Sequence, residues 1–405
     1  MIFESYAVAM VNPKTIDMKK LSSFIIAVLA GTVTHAQSAS ESINTFAFDL
    51  YGGLKVGGNE NLVYSPFSIT PAFGMVALGA KGETLNQLNA TFHFANSPKF
   101  HQAVGKLQQS VIKSSSADIN INVANKAWLQ TDYKILKRYR CDLKGNYKTS
   151  LYKVDFINEP EAARKTINLA VEYDTKQHIK DLLPQGSISN LTRLVLTNAV
   201  YFKGKWKEPF EPEKTKERDF TLADGSKNKH QFMSADKTFG YLKGTDFAAL
   251  EMDYKGEELS MLVILPNEGK PLSEFEKAFT VEKYNEVVKA IEPQKTLVFI
   301  PRFTVESGFS MKQVLAEMGL TIPFSDDADF SGISGNKDLK ISDAYHKAFI
   351  EVSEEGTTAA AATAVVVAMK SMPNFNVFDA NRPFMFILRH KPTNTILFIG
   401  RVAKP

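Results

Sequence analysis

Apolar residues recur at helical spacing in INTFAFDLYGGL (43–54), SITPAFGMVALGA (68–80) and HQAVGKLQQSVI (101–112), which predicts helices in the early part of the chain. The period then changes. ININVANKAWLQ (119–130) alternates, LVLTNAVYFKGKW (194–206) is a mostly apolar run, and AALEMDY (248–254) and LSMLVILP (259–266) predict two strands joined by a polar KGEE turn. KTLVFIPRFTVES (295–307) predicts one further strand and SMKQVLAEMG (310–319) a short helix ending at Gly319. PFMFILRH (383–390) and TILFIGRVA (395–403) predict an apolar hairpin around KPTN. Helices gather early and strands late, without βαβ alternation, so the expected class is α+β on mixed or antiparallel sheets.

One stretch sits apart, EEGTTAAAATAVVVAMKSMP (354–373). From Gly356 to Met369 nothing is charged, and then Lys370 and Ser371 follow. As a strand it would set Thr357, Ala359, Ala361, Thr363, Val365, Val367 and Met369 on one face, and Thr358, Ala360, Ala362, Ala364, Val366 and Ala368 on the other. Such a ribbon can lie exposed in one state and be buried on both sides, as a central strand, in another. Two alternatives stay open on composition alone. An alanine-rich buried helix is weakened by Gly356, the threonines and the valines; a membrane-contact segment is too short to span a bilayer.

The chain has 405 residues, 44% hydrophobic and 23% charged, so it can bury a sizeable core and is neither fibrous nor disordered. From Ser40 onward no linker or repeat divides it, and one domain over 37–405 is expected. The formal net charge is +4 with no run of five like charges, which gives no reason to expect a nucleic-acid partner. Cys141 is the only cysteine, so no intramolecular disulfide can form, and no CxxC or metal spacing gives the thiol a role. From Met18, MKKLSSFIIAVLAGTVTHAQS has a two-lysine start, an apolar run and small residues before a cut after Ala36. Residues 18–36 are therefore expected to be an export signal, with 1–17 an extension or leader, and the mature protein to be secreted or periplasmic without a membrane anchor.

Conventional chemistry finds no foothold. The seven histidines lack metal-ligand spacing, and no GxGxxG, Walker loop or GxSxG elbow occurs, so no metal, cofactor or enzyme activity is expected. Ser371 has neither a base nor an oxyanion loop near it in sequence.

NLVYSPFSI (61–69), GAKGET (79–84), LTNAVYFKGKW (196–206), ADFSGIS (328–334), HKAFIEVSEEGTTAAAATA (346–364) and FDANRPFMFIL (378–388), in this order, resemble the serpin family over about residues 40–405. The resemblance implies an α+β fold of three β-sheets and about nine helices, with an exposed reactive-centre loop at about 354–378. It places the cleaved bond fourteen positions after the hinge glycine, at Lys370-Ser371; a slipped register at Met369 or Met372 is the alternative. The hinge would comprise Glu354, Gly356, Thr357, Thr358, Ala359, Ala360, Ala361, Ala362 and Thr363, with Thr358 where the family usually has Glu. Ser65, Ser68, Asn198 and His346 match a cluster that controls opening of the main sheet, and Trp206 matches the aromatic where loop insertion begins.

The resemblance implies a suicide substrate rather than a catalyst. Lysine at the cleaved bond selects trypsin-like serine proteases, and a hinge free of charge and proline permits insertion. A monomer is expected. A noninhibitory carrier, chaperone or storage protein of the same fold is the alternative. INLAVEYDTKQHIKDLL (167–183) departs from the family pattern, with Ala170, Gln177 and His178 in place of its Trp, Gly and Lys, which puts that helix's stability in question. The row Lys99, Lys106 and Lys113, with His101 between, is too sparse to expect polyanion binding. Asn89 and Asn190 lie in N-x-T sequons.

Overall fold

The computed structural model describes residues 39–54, 60–357 and 376–405. Residues 1–36, with the expected leader and export signal, fall outside them. So do Thr358, Ala359, Ala360, Ala361, Ala362, Thr363, Lys370 and Ser371.

The strands form two hydrogen-bonded ladders. The larger runs β1 (Leu62–Tyr64), β15 (Thr395–Val402), β14 (Phe384–His390), β8 (Leu259–Pro266), β7 (Phe247–Asp253), β6 (Lys227–Lys243), β9 (Glu292–Pro301) and β13 (Asn376–Asp379), with β5 (Lys216–Thr221) also on β6. The 17-residue β6 pairs with β7 at its end and with β5 and β9 before that, which carries one sheet into the next without a break. The smaller ladder runs β10 (Phe303–Ser310), β11 (Asp343–Val352), β4 (Leu194–Lys205), β2 (Ile119–Gln130) and β3 (Leu151–Val154); a two-residue strand, β12 (Gly356–Thr357), lies against β4.

The helices are α1 (39–53), α2 (Pro66–Ala77), α3 (Gly82–Phe92), α4 (Pro98–Lys113), α5 (Lys137–Tyr147) and α6 (Pro160–Asp174), then the shorter α7 (Leu272–Ala278), α8 (Val281–Ala290), α9 (Lys312–Glu317) and α10 (Ser331–Ser334). α2 is buried over its whole length and starts on an N-cap, Ser65, whose side chain accepts from the Ser68 amide. It packs on one face of the smaller sheet, while α6 covers the other with Ala163, Ile167 and Val171 against Ala124, Trp128, Val195, Ala199 and Tyr345. The strands between are therefore buried on both sides, which explains why LVLTNAVYF reads as a continuous apolar run.

The predicted strand 295–307 is two strands in different sheets. β9 stops at Pro301, the Arg302 amide turns to the Gln231 carbonyl at 2.9 Å, and β10 starts at Phe303 in the smaller ladder. Proline cannot extend a ladder through its missing N–H, so the chain changes sheet there. Helices α7 and α8 likewise interrupt the late run of strands; their charged faces hid them from an apolar pattern.

Candidate functional site

The smaller sheet has a seam at its centre. β4 and β11 pair in parallel from Val195↔Asp343 to Tyr201↔Phe349, while every other pairing in this ladder except β2 with β3 is antiparallel. Beyond Tyr201 both strands continue unpaired with each other. Into that opening comes β12, antiparallel to β4, with Gly356↔Lys205 and Thr357↔Gly204.

The chain reaches this seat through a tight turn. Ser353 and Gly356 exchange backbone hydrogen bonds of 2.8 and 3.2 Å, and Glu354 and Glu355 occupy the corner. Gly356 has φ 149°, and a Cβ there would lie 1.9 Å from the Gly204 carbonyl oxygen, so no other residue fits. The Thr357 side chain is buried beside the Tyr254 hydroxyl at 3.0 Å. Gly204 makes room for that arrangement, since a Cβ there would meet the rings of Phe202 and Tyr254 within 2.8 Å.

Two further groups fasten the turn. Trp206 stacks on Tyr254 with centroids 4.4 Å apart, donates from its indole to the Ser353 carbonyl at 2.9 Å and from its amide to the Glu355 carbonyl at 2.8 Å. Glu354 is only 4% exposed yet charged. Arg302 grips both of its carboxylate oxygens from Nε at 2.7 and 2.9 Å, and Thr215 donates to it at 2.5 Å. Burial pushes the Glu354 carboxyl up, but the bonds from Arg302 and Thr215 outweigh it and hold the pKa below the ordinary value. Thus Gly356 and Thr357, expected at the base of an exposed loop, are laddered to β4, and Glu354 is buried at the turn before them.

Lower on the seam, on the α2 side, Ser65, Ser68, Asn198 and His346 come together and are all fully buried. The Ser65 amide donates to His346 Nε2 at 3.2 Å, which leaves Nδ1 to carry the proton and donate to Asn198 Oδ1. Ser68 Oγ donates to the same Asn198 oxygen at 2.8 Å. Asn198 passes its amide to Asn125 Oδ1, and Asn125 donates to the Ser68 carbonyl at 2.8 Å. Because Asn198 lies on β4 and His346 opposite it on β11, their bond spans the seam. Burial drives the His346 pKa down to about 3, so the ring is neutral at physiological pH.

On the other face α6 is well fastened. Arg164 donates to Glu161 and to the Leu183 carbonyl, and Asn168 bonds the Leu183 backbone in both directions at 2.8 and 3.0 Å. Ala170 is partly buried against the apolar cluster beneath the helix. Gln177, standing where the family pattern has glycine, is held at φ 67° in the left-handed region.

Some expected groups lie elsewhere. His101 points inward, donating to or accepting from the Tyr147 hydroxyl at 2.7 Å, and burial lowers its pKa to about 4; it adds no charge to the lysines of α4. Cys141 is exposed on α5, Asn190 is exposed in a turn, and Asn89 is half-buried in α3. Asn125, Arg302, Thr215 and Tyr254 were not foreseen. Asn125 left a trace, a polar residue in an otherwise alternating strand, whereas Arg302 and Thr215 reach the hinge from segments far from it in sequence.

A family model described as serpin (serine protease inhibitor) matches residues 41–405. Human serpin B4 is 40% identical over 91% of this chain and all of its own length, and bovine leukocyte elastase inhibitor is 37% identical over the same shares. A solved structure of thyroxine-binding globulin with thyroxine superposes with a TM-score of 0.82 at 27% identity, covering 91% of this chain and 99% of that one.

Proposed function

The chain belongs to the serpin family, and from that premise we propose that it is a secreted suicide-substrate inhibitor of trypsin-like serine proteases. In this mechanism the protease serine attacks the Lys370 carbonyl carbon. The Lys370-Ser371 C–N bond breaks, the new amine of Ser371 leaves with the proton, and Lys370 stays behind as an acyl ester on the enzyme. The freed loop then enters between β4 and β11 as a new central strand. It carries the protease with it before water completes the hydrolysis, and outcome is decided by whether insertion outruns deacylation.

The observation that carries this reading is the hinge. Thr357 is buried and laddered to β4, and the residues after it as far as Met369 are free of charge and proline. A buried charge on that path would oppose insertion by several kcal/mol, and a proline would leave a ladder bond unmade. Burial of an apolar strand on both faces, with its backbone bonds satisfied, supplies the driving force. Lys370 fits a protease whose primary pocket holds a buried acid.

The test is to mix the purified chain with trypsin. An adduct that survives SDS, and a released peptide that begins at Ser371, are expected; an adduct with chymotrypsin or elastase but none with trypsin overturns the specificity. A carrier of the same fold is the second reading, favoured by the likeness to a thyroxine-binding protein. It predicts little change in melting temperature after loop cleavage, where a trap gains tens of degrees.

A further inference from the structure

We propose that a polar cavity beside Trp206, between β6 and β7, binds a small zwitterion that carries a primary ammonium and a carboxylate, a free amino acid being the simplest. The site does not depend on trapping and would serve a carrier of the same fold equally well.

The cavity holds about 530 Å³ and is lined by β6, β7 and the residues that follow β4. Its floor is Glu251, only 8% exposed. One oxygen of this carboxylate is saturated. Oε1 accepts from Arg389 Nε at 2.7 Å and from Ser260 Oγ at 2.6 Å, with Arg389 Nη2 also 2.7 Å away. Oε2 has no donor among the described residues. It turns toward Gly240, the partner of Glu251 across the ladder, where a Cβ would lie 3.5 Å from Oε2 and 2.9 Å from the Glu251 Cβ. Glycine at this position keeps the space in front of the oxygen open. A buried carboxylate oxygen left without a donor is a cost that a donor from a ligand offsets.

Asp253 stands two residues further along β7, on the same face. Its Oδ1 accepts from Lys391 Nζ at 2.6 Å, and Oδ2 has no donor among the described residues. Burial pushes this carboxyl up against the bond from Lys391, and the Glu251 charge adds to the rise. Residues two apart on a strand sit about 6.8 Å from each other, close enough for both side chains to share one ammonium with its three N–H donors. A metal ion suits the pair less, because hard cations take six or more oxygens and no group of three His, Cys, Asp or Glu among the described residues gathers as a metal site.

The floor is already neutral, since Arg389 answers Glu251 and Lys391 answers Asp253. A bare cation would therefore bring an unanswered charge into a half-enclosed space. The rim supplies the counterpart. Lys207 pairs with Glu257 at 2.8 Å and Lys237 with Glu208 at 3.1 Å, both partly exposed pairs of little strength. Lys237 donates also to the Pro209 carbonyl at 3.1 Å, so each ammonium keeps at least one N–H to spare. The ligand ammonium thus lies inward on Glu251 Oε2 and Asp253 Oδ2, and its carboxylate outward on Lys207 and Lys237.

The probes are 5-aminopentanoate, pentylamine and pentanoate, which share a chain length and differ in charge. Their binding to the purified protein is read by calorimetry and by the shift in melting temperature. 5-Aminopentanoate should bind about tenfold more tightly than either of the others, the size of one charge-assisted hydrogen bond. Replacing both rim lysines, Lys207→Gln with Lys237→Gln, should erase its advantage over pentylamine. Glu251→Gln should weaken it about tenfold, but this variant also leaves Arg389 facing an amide. Thr238→Lys on the cavity wall spares that buried pair, and its own ammonium should take the floor and exclude 5-aminopentanoate. The site is overturned by a protein that binds none of the probes, by equal binding of 5-aminopentanoate and pentylamine, by an advantage that survives loss of both lysines, or by undiminished binding in Thr238→Lys.

Discussion

Glu354 is a charge in a place that charges avoid, and it stays ionised because Arg302 meets both of its oxygens. Removing Arg302 leaves a buried carboxylate with Thr215 as its remaining side-chain donor. Arg302→Ala should lower stability by about 2 kcal/mol at pH 7, read from the denaturant midpoint. The pH dependence has a definite sign. The folded Glu354 pKa lies below the unfolded one, so this stabilisation is present above about pH 4.3 and is lost as pH falls through the folded value. The gap between wild type and Arg302→Ala should therefore narrow when the same measurement is made in acid. His346 works through the opposite protonation. Its neutral ring is required, the unfolded chain takes up a proton near pH 6.5, and the folded chain resists until about 3. Between those values stability should fall with pH by up to about 1.4 kcal/mol per unit from this one group, and the slope should be shallower in His346→Gln.

At the scale of elements, sequence period located the strands that are buried on one or both sides and the helices with apolar faces. β2 covers the whole segment 119–130 read as a strand, although burial alternates only over its first residues and the last four are all buried. β5 and β6 escaped notice because most of their residues are polar and at least half-exposed, and the apolar ones that reach the core, Phe220, Phe232, Met233, Phe239 and Tyr241, form no continuous run. The site was legible in part for a similar reason. Ser65, Ser68, Asn198 and His346 could be named only through resemblance, since nothing local in the sequence says that four distant polar residues share one hydrogen-bonded cluster. Arg302 was hidden by the sheet change at Pro301. Of the three residues in 167–183 that depart from the family pattern, Gln177, just past α6, is the one with a left-handed backbone. Gln177 sits in a left-handed conformation that costs a side-chain-bearing residue about 1 kcal/mol. Gln177→Gly should raise the stability of the uncleaved protein by about that amount, measured by urea unfolding.

Across the whole molecule, the smaller sheet is filled on both faces yet divisible along one line. On the α2 side the bond from His346 to Asn198 crosses that line, and on the α6 side the His178 ring stacks on Tyr201 of β4 while Lys347 of β11 donates to the Lys180 carbonyl. The Gly356 seat lies just past the end of that line, where β4 and β11 no longer pair with each other. Gly356→Ala cannot keep that seat, because its methyl group would meet the Gly204 carbonyl oxygen. The turn should be expelled, at a cost of about 1–3 kcal/mol to the uncleaved fold, and limited proteolysis near residue 354 should accelerate. A zipper is slowest at its first tooth, because aligning two chains costs more freedom than adding the next rung. Here Gly356 and Thr357 already make the first rungs against β4. In the trap we propose, the slip by one position that would turn every side chain to the wrong face is ruled out in advance, and what a cut at Lys370-Ser371 would contribute is slack.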